Sequence, residues 1–359
     1  MSEFEKYMDR YIEAETEIEE KKALIKALKI AEKNNNMGNM VKCHLKLAYN
    51  ELFLGHKIEA MNHLFWSFRN ITEEILYDDE IYYDLIWNSK YITVLARLLY
   101  DDKEGIKEIF EWVKNLYETG GQELKPMYGI LIDYYCHGLD LGYDMEDIFN
   151  KWKKVNNEYF DDCDACLKDS EIDYYLREKN YKKAFALAED FDKEKLSCDE
   201  SPSLTYAELL YPLLKENKFA KASKYCEKSY KLCKNNLNLI GGIIKIIEYL
   251  AIIDIEKAFE IYLEHIDLFN QIDSDYGMLE FCFASYILFI QLSKTSTQLI
   301  VPFDKKNEIY NTNVLINHFE NKYQETVQKF DERNDNNYLS EYFKEKEDCY
   351  LNINNIWRK

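Results

Sequence analysis

The chain has 359 residues, 47% of them hydrophobic and 31% charged, and a formal net charge of −20. That length and apolar content support a sizeable buried core, while the charge repels a phosphate backbone and so excludes nucleic-acid binding as the main role. Only 4 Pro and 11 Gly occur, so helix breakers are scarce and helix is the expected state.

The N-terminal stretch MSEFEKYMDRYIEAETEIEEKK is charged throughout and reads as neither a signal nor a transit peptide. Residues 1–35 are predicted to form N-terminal capping helices. Apolar runs such as MLEFCFASYILFIQL are too short or too polar to span a bilayer, so no membrane role is expected and a cytoplasmic protein is. There the nine cysteines should be reduced thiols. The 30 Tyr and 19 Phe are expected to fill the space between helices.

Residues 36–295 carry an internal repeat. EKNYKKAFALAEDF, ENKFAKASKYCEKS and IIDIEKAFEIYLEH align, each with a bulky residue followed three later by alanine: Tyr181 and Ala184, Phe219 and Ala222, Ile255 and Ala258. The markers are 38 and 36 residues apart. Weaker copies surround Ala60, Gly105 and Asp147. A small residue lets a second helix approach its partner closely, and the bulky one fills the corner of the turn. Upstream of one marker, Tyr206, Leu209, Leu210, Leu213 and Leu214 form a stripe of helical period. That helix is predicted to open on Ser201 as cap with Pro202 in the first turn, and to kink near residues 208–212 because Pro212 lies inside it. Residues 296–359 are predicted as C-terminal helices: a loop over 295–308 containing Pro302, a long helix over 309–330, a break at DERNDNN, and a last short helix in YLSEYFKEKEDCYL.

Helix, tight turn, helix, with a period of about 34 to 45 residues, resembles the tetratricopeptide-repeat (TPR) superfamily over residues 20–295. The usual tryptophan, paired glycine and closing proline are largely missing. The resemblance implies an all-α fold, a right-handed superhelix of stacked TPR-like hairpins with atypical capping helices and a concave face that holds a peptide or protein. Three segments further resemble a poorly characterised bacterial family of repeat proteins: the C-x-x-C of Cys163 and Cys166, LSCDESPSLTYAELLYPLL over 196–214, and FDERN over 330–334. Where that family often carries histidine, this chain has Ser203. The abundance of Asn, Lys, Ile and Tyr fits a low-GC bacterium.

Cys163 and Cys166 start one repeat and Cys198 precedes the next. Starts of consecutive first helices are neighbours in stacked hairpins, so the three thiols are expected to converge at one rim. Three readings stand: one structural zinc, a remnant of such a site with free thiols, or thiol redox chemistry at a helix start. Zinc needs a fourth ligand; the candidates are Asp161, Asp164, Asp199, Glu200, a water or Cys233. The remaining cysteines are expected to behave as small apolar side chains. His137 reads as a helix-end residue, the pairs Asp78-Asp79 and Asp101-Asp102 as helix caps, and Asp331 and Arg333 as ties between the last helices. No catalytic constellation is recognised, and an enzyme is not expected. The reading that results is an intracellular scaffold or adaptor for a protein or peptide, its acidity favouring a basic one. A peptide-responsive regulator and an immunity or antitoxin-type protein binding a basic toxin are the alternatives.

Overall fold

The computed structural model describes residues 2–99, 101–122, 124–155, 162–302 and 306–353. The chain is mostly helical, as its scarcity of breakers requires. The N-terminal half contains α1 (Glu3–Ile12), α2 (Glu17–Lys33), α3 (Met37–Phe53), α4 (Lys57–Asn70), α5 (Glu73–Leu76), α6 (Asp79–Ser89), a 3-10 helix (Lys90–Arg97), α7 (Lys103–Thr119), α8 (Lys125–Cys136) and α9 (Met145–Lys154). The C-terminal half contains α10 (Asp164–Arg177), α11 (Tyr181–Glu194), α12 (Ser203–Glu208), α13 (Leu210–Lys215), α14 (Phe219–Cys233), α15 (Ile240–Ile253), α16 (Ile255–Glu264), α17 (Ile266–Phe269), α18 (Asp275–Ser293), α19 (Thr312–Asn334) and α20 (Tyr338–Ile353).

The repeat markers have one structural meaning. Tyr181, Phe219 and Ile255 are the first residues of α11, α14 and α16. Ala184, Ala222, Ala258 and Ala60 are fully buried one turn later, where a larger side chain would hold the two helices of a hairpin apart. At four helix entries the chain reverses through a left-handed residue two positions before the next helix: Asn35, Gly55, Lys179 and Asn217. Asn and Gly suit that backbone region. Asp78, Asp102, Asp144 and Asp254 each accept a bond from a first-turn amide, which places two of the acidic pairs of the sequence at helix caps.

The structure bears out the expected kink and corrects other expectations. The helix around Pro212 breaks at Leu209 into α12 and α13, as a proline lacking an amide hydrogen predicts. Ser201 is not its cap: the residue before α12 is Pro202, and the Ser201 hydroxyl donates to Asp169 Oδ2 at 3.1 Å. The expected loop over 295–308 instead carries the strand β1 (Gln298–Val301), which pairs antiparallel with β2 (Glu308–Asn311) where the long helix was expected to begin. Four-residue strands are too short to show alternation. The long helix starts later than expected and runs through DERN to Asn334; the chain turns at Asp335, in left-handed conformation. Helix α18 has 19 residues and a mean hydropathy of 1.3, which by length and composition suffices to cross a membrane, but 72% of that window is buried within the protein. A helix apolar around its whole circumference must be covered on all sides, and α15 and α19 cover it.

The helices pack in chain order, α3 on α4, α8 on α9, α10 on α11 and α15 on α16, and the first helices also touch one another. The stack then returns on itself: α18 reaches the 3-10 helix. Arg333 of α19 donates to the carbonyls of Leu95 (2.9 Å), Leu98 (2.6 Å) and Ala96 (3.0 Å). Asp275 accepts from the Leu99 amide at 2.7 Å, and Asp273 from the Ile58 amide at 3.1 Å. Asp331 accepts from the amides of Leu339 and Ser340, both at 3.0 Å, and so starts α20. FDERN therefore joins the last two helices to each other and to the middle of the chain.

Candidate functional site

Two features share the inner face of this closed circuit: three cysteines and an acidic cavity. Cys163 is the residue that precedes α10, Cys166 lies in its first turn, and Cys198 sits in the turn before α12. Hydrogen bonds from Ser201 and Thr205 to Asp169 hold the turn before α12 and its first residues against α10 and bring the three cysteines together. Cys163 Sγ lies 3.6 Å from Cys166 Sγ, which lies 3.2 Å from Cys198 Sγ. All three sulfurs fall within 4.8 Å of one another, the geometry of a cluster that could hold a metal ion. Tetrahedral zinc with Zn–S bonds of about 2.3 Å places its sulfurs roughly 3.8 Å apart, so the donor set fits. The turn is braced from both ends: the Cys198 amide donates to the Ser201 carbonyl at 2.7 Å and the Ser201 amide to Cys198 Sγ at 3.3 Å. Burial and then the neighbouring Cys198 push the Cys166 thiol far up, so a metal must displace a firmly held proton.

Four of the expected fourth ligands stand apart from the thiols. Among the described residues, no carboxylate oxygen of Asp164, Asp199 or Glu200 belongs to the cluster, and Glu200 accepts from Asn238 Nδ2 at 3.1 Å. Cys233 is fully buried, with Ser229 Oγ 3.6 Å from its sulfur. Ser203 donates to the Glu200 carbonyl. Asp161 lies outside the described residues. Cys43, Cys226 and Cys282 are buried like apolar residues.

The cysteines form part of the wall of a cavity of about 620 Å³ bounded by the 3-10 helix, α8, α10, α12, α15 and α18. Tyr338 and Tyr342 of α20 line it as well. Helix α20 is tied down by Lys346, whose ammonium lies 2.6 Å from Glu248 of α15, and by Glu345, which bridges Lys179 and Lys215. Helix α20 thus closes part of one side of the cavity.

The cavity wall is charged, and its charges do not cancel. Asp169 and Asp173 stand one turn apart on α10, on one face. Asp169 accepts from Ser201 and Thr205, and burial pushes its carboxyl up to about 6. Asp173 has no hydrogen-bond partner among the described residues; burial and then Asp169 push it well above the usual carboxylate range. Lys245 of α15 serves two carboxylates, Glu208 at 2.8 Å and Glu280 at 2.5 Å. Arg97 pairs with Asp133 at 2.7 Å and donates through Nε to His137 Nε2 at 3.1 Å. His137 Nδ1 lies 2.9 Å from the Asp133 carbonyl. Both ring nitrogens are therefore engaged in the neutral tautomer, and burial followed by Arg97 pushes the ring down to about 4. His137 does end α8, as its sequence position suggested, but it also faces this cavity.

Sequence reasoning did not single out these acids. The one available signal was the like-charged pair Asp169 and Asp173 at helical spacing, which costs stability on an isolated helix. Comparison of the chain with family models, with curated proteins and with solved structures returns no match.

Proposed function

We propose that this protein is a cytoplasmic binding protein, an adaptor built as a right-handed superhelix of TPR-like hairpins, whose concave side takes a cationic partner. The observation that carries the reading is the cavity: nine Asp and Glu line it against six Lys and Arg, inside a chain of net charge −20. Buried carboxylates without counter-charge are costly alone and are satisfied by an incoming cation. The field of the whole chain steers basic molecules toward it. A basic segment of a protein or peptide supplies that charge. Binding rather than catalysis is favoured by the state of the reactive groups: the Cys166 thiol is a poor nucleophile with its proton firmly held, and His137 has no free ring nitrogen.

Zinc at Cys163, Cys166 and Cys198 completes the proposal. It would clamp the start of α10 to the turn before α12 and fix that part of the rim. A panel of basic and acidic peptides titrated into the purified chain tests the binding reading. Basic peptides should raise the melting temperature, and Asp173→Asn should weaken the effect. A panel without any basic responder overturns it.

A further inference from the structure

The cavity offers more than a sign of charge, and its layout discriminates among cations. A metal ion needs its ligand atoms within a few ångströms of one another. Among the described residues only the three cysteines meet that condition; the carboxylates of Asp133, Asp169, Asp173, Glu208 and Glu280 are spread over four helices. An anion would meet an excess of carboxylates. Burial holds the Asp173 carboxyl in its protonated form while the cavity is empty; a neutral ligand would leave it so, whereas a cation beside it favours the ionised form. What fits is a cation whose charge is itself distributed.

Three observations define that shape. First, Asp173 presents a carboxyl to the cavity with no partner among the described residues, and the second carboxylate oxygen of Asp133 is buried and unbonded. Second, Lys245 divides one ammonium between Glu208 and Glu280, with Lys346 acting on both from further away, so two carboxylates on α12 and α18 share one directly paired cation. Third, Tyr276 is only 9% exposed, lines the cavity, and its hydroxyl has no hydrogen-bond partner among the described residues. Beside it stand Tyr338 and Tyr342, whose rings already carry cations, Arg177 at 3.2 Å from the first and Lys346 at 5.3 Å from the second, so they add apolar wall for a methylene chain. Leu204 and Ile244 add apolar lining. Lys57, one of the other lysines that line the cavity, is itself faced by Glu200, Asp273 and Glu280.

We propose that the cavity binds a small linear polyamine, an organic cation with two or more protonated amines separated by short methylene chains. This rests on the reading of the protein as a binder of cations and names the chemical class of the ligand. The amines meet the carboxylates of α10 and of α12 and α18, and the methylenes lie against the tyrosine rings and aliphatic side chains. The Tyr276 hydroxyl accepts from an amine. Helix α20 contributes Tyr338 and Tyr342 to the wall, so an occupied cavity holds that helix more firmly.

The experiment is isothermal titration calorimetry of the full chain with spermidine, alongside thermal melts. Magnesium chloride at equal charge serves as the control for diffuse attraction to an acidic surface. The expected result is saturable one-to-one binding of spermidine, no such binding of magnesium, and a weakening of about tenfold or more in Asp173→Asn. The empty variant should melt like the parent or slightly higher at neutral pH, because Asn replaces a carboxyl whose ionised form burial already disfavours. Glu325→Gln, on the exposed face of α19, should bind like the parent. Spermidine binding that is absent, matched by magnesium, or unchanged in Asp173→Asn overturns the proposal. If spermidine is silent while a lysine-rich peptide binds and loses affinity in Asp173→Asn, the polyamine assignment fails and the cation-binding reading stands. If neither binds, both fail.

Discussion

Replacing Arg333 with alanine tests whether the chain is truly closed. Its guanidinium donates three hydrogen bonds to the carbonyls of Leu95, Ala96 and Leu98, 235 to 238 residues away in sequence, and lies 4.9 Å from the centre of the Phe330 ring. Burial pushes its pKa down to about 10, which still leaves it charged at neutral pH. A hydrogen bond with a charged donor contributes roughly 1.5–3 kcal/mol. The three are not additive, since the freed carbonyls regain some water. The loss expected for Arg333→Ala is about 3–5 kcal/mol, at the upper end for single substitutions. Arg333→Lys should lose about 2 kcal/mol, because one ammonium cannot reach a fork of three acceptors. Urea denaturation followed by circular dichroism measures the stability, and hydrogen exchange at residues 95–99 shows whether that turn loosens. A loss under about 0.5 kcal/mol, with unchanged exchange at those amides, would refute the closure as a source of stability.

Other outcomes follow from the same geometry. His137 titrates near 4 in the folded protein against 6.5 when free. A base with a lowered folded pKa contributes stability above pH 6.5 that is lost as pH falls toward 4, about 3 kcal/mol at most. His137→Gln should remove that acid-side slope relative to the parent in urea titrations at pH 7 and pH 4.5; the comparison is by difference because Asp173, pushed up by burial, gives the opposite slope. Zinc added to chelator-treated protein should raise the melting temperature and release protons, and Cys198→Ser should abolish both, as read by calorimetry in two buffers of different ionisation enthalpy. Phe283→Ala should cost about 3–5 kcal/mol, since Phe283 is fully buried and its ring packs against Tyr323 and Phe343; a thermal melt checks it.

What the sequence disclosed is what local geometry dictates. The alanine markers were legible because hairpin contact demands a small residue at one place per repeat, and Ala184, Ala222 and Ala258 are all fully buried. The break at Leu209 was legible because Pro212 has no amide hydrogen. The meeting of Cys163, Cys166 and Cys198 was legible because starts of successive first helices lie side by side. Long-range closure was not, for a physical reason: Arg333 bonds to main-chain carbonyls, which every residue carries, so its target leaves no mark on residue type. Asp164, Asp199 and Glu200 stay out of the cluster because acids flanking a cysteine are as well placed for water or a helix start as for a metal. The cavity acids looked like any solvated charges, since inward and outward faces of a helix differ only once its neighbours are known. The hairpin over 298–311 was hidden by its shortness.

An ordinary open array of hairpins can lengthen or shorten by one unit, because each contacts only its neighbours. This chain has lost that freedom. Arg333 finds its carbonyls and Asp275 its amide only if the number of hairpins between residues 99 and 275 brings α18 back beside the 3-10 helix. Duplication or deletion of a single repeat would leave both partners facing the wrong segment, so descendants of this protein can vary in sequence far more easily than in length.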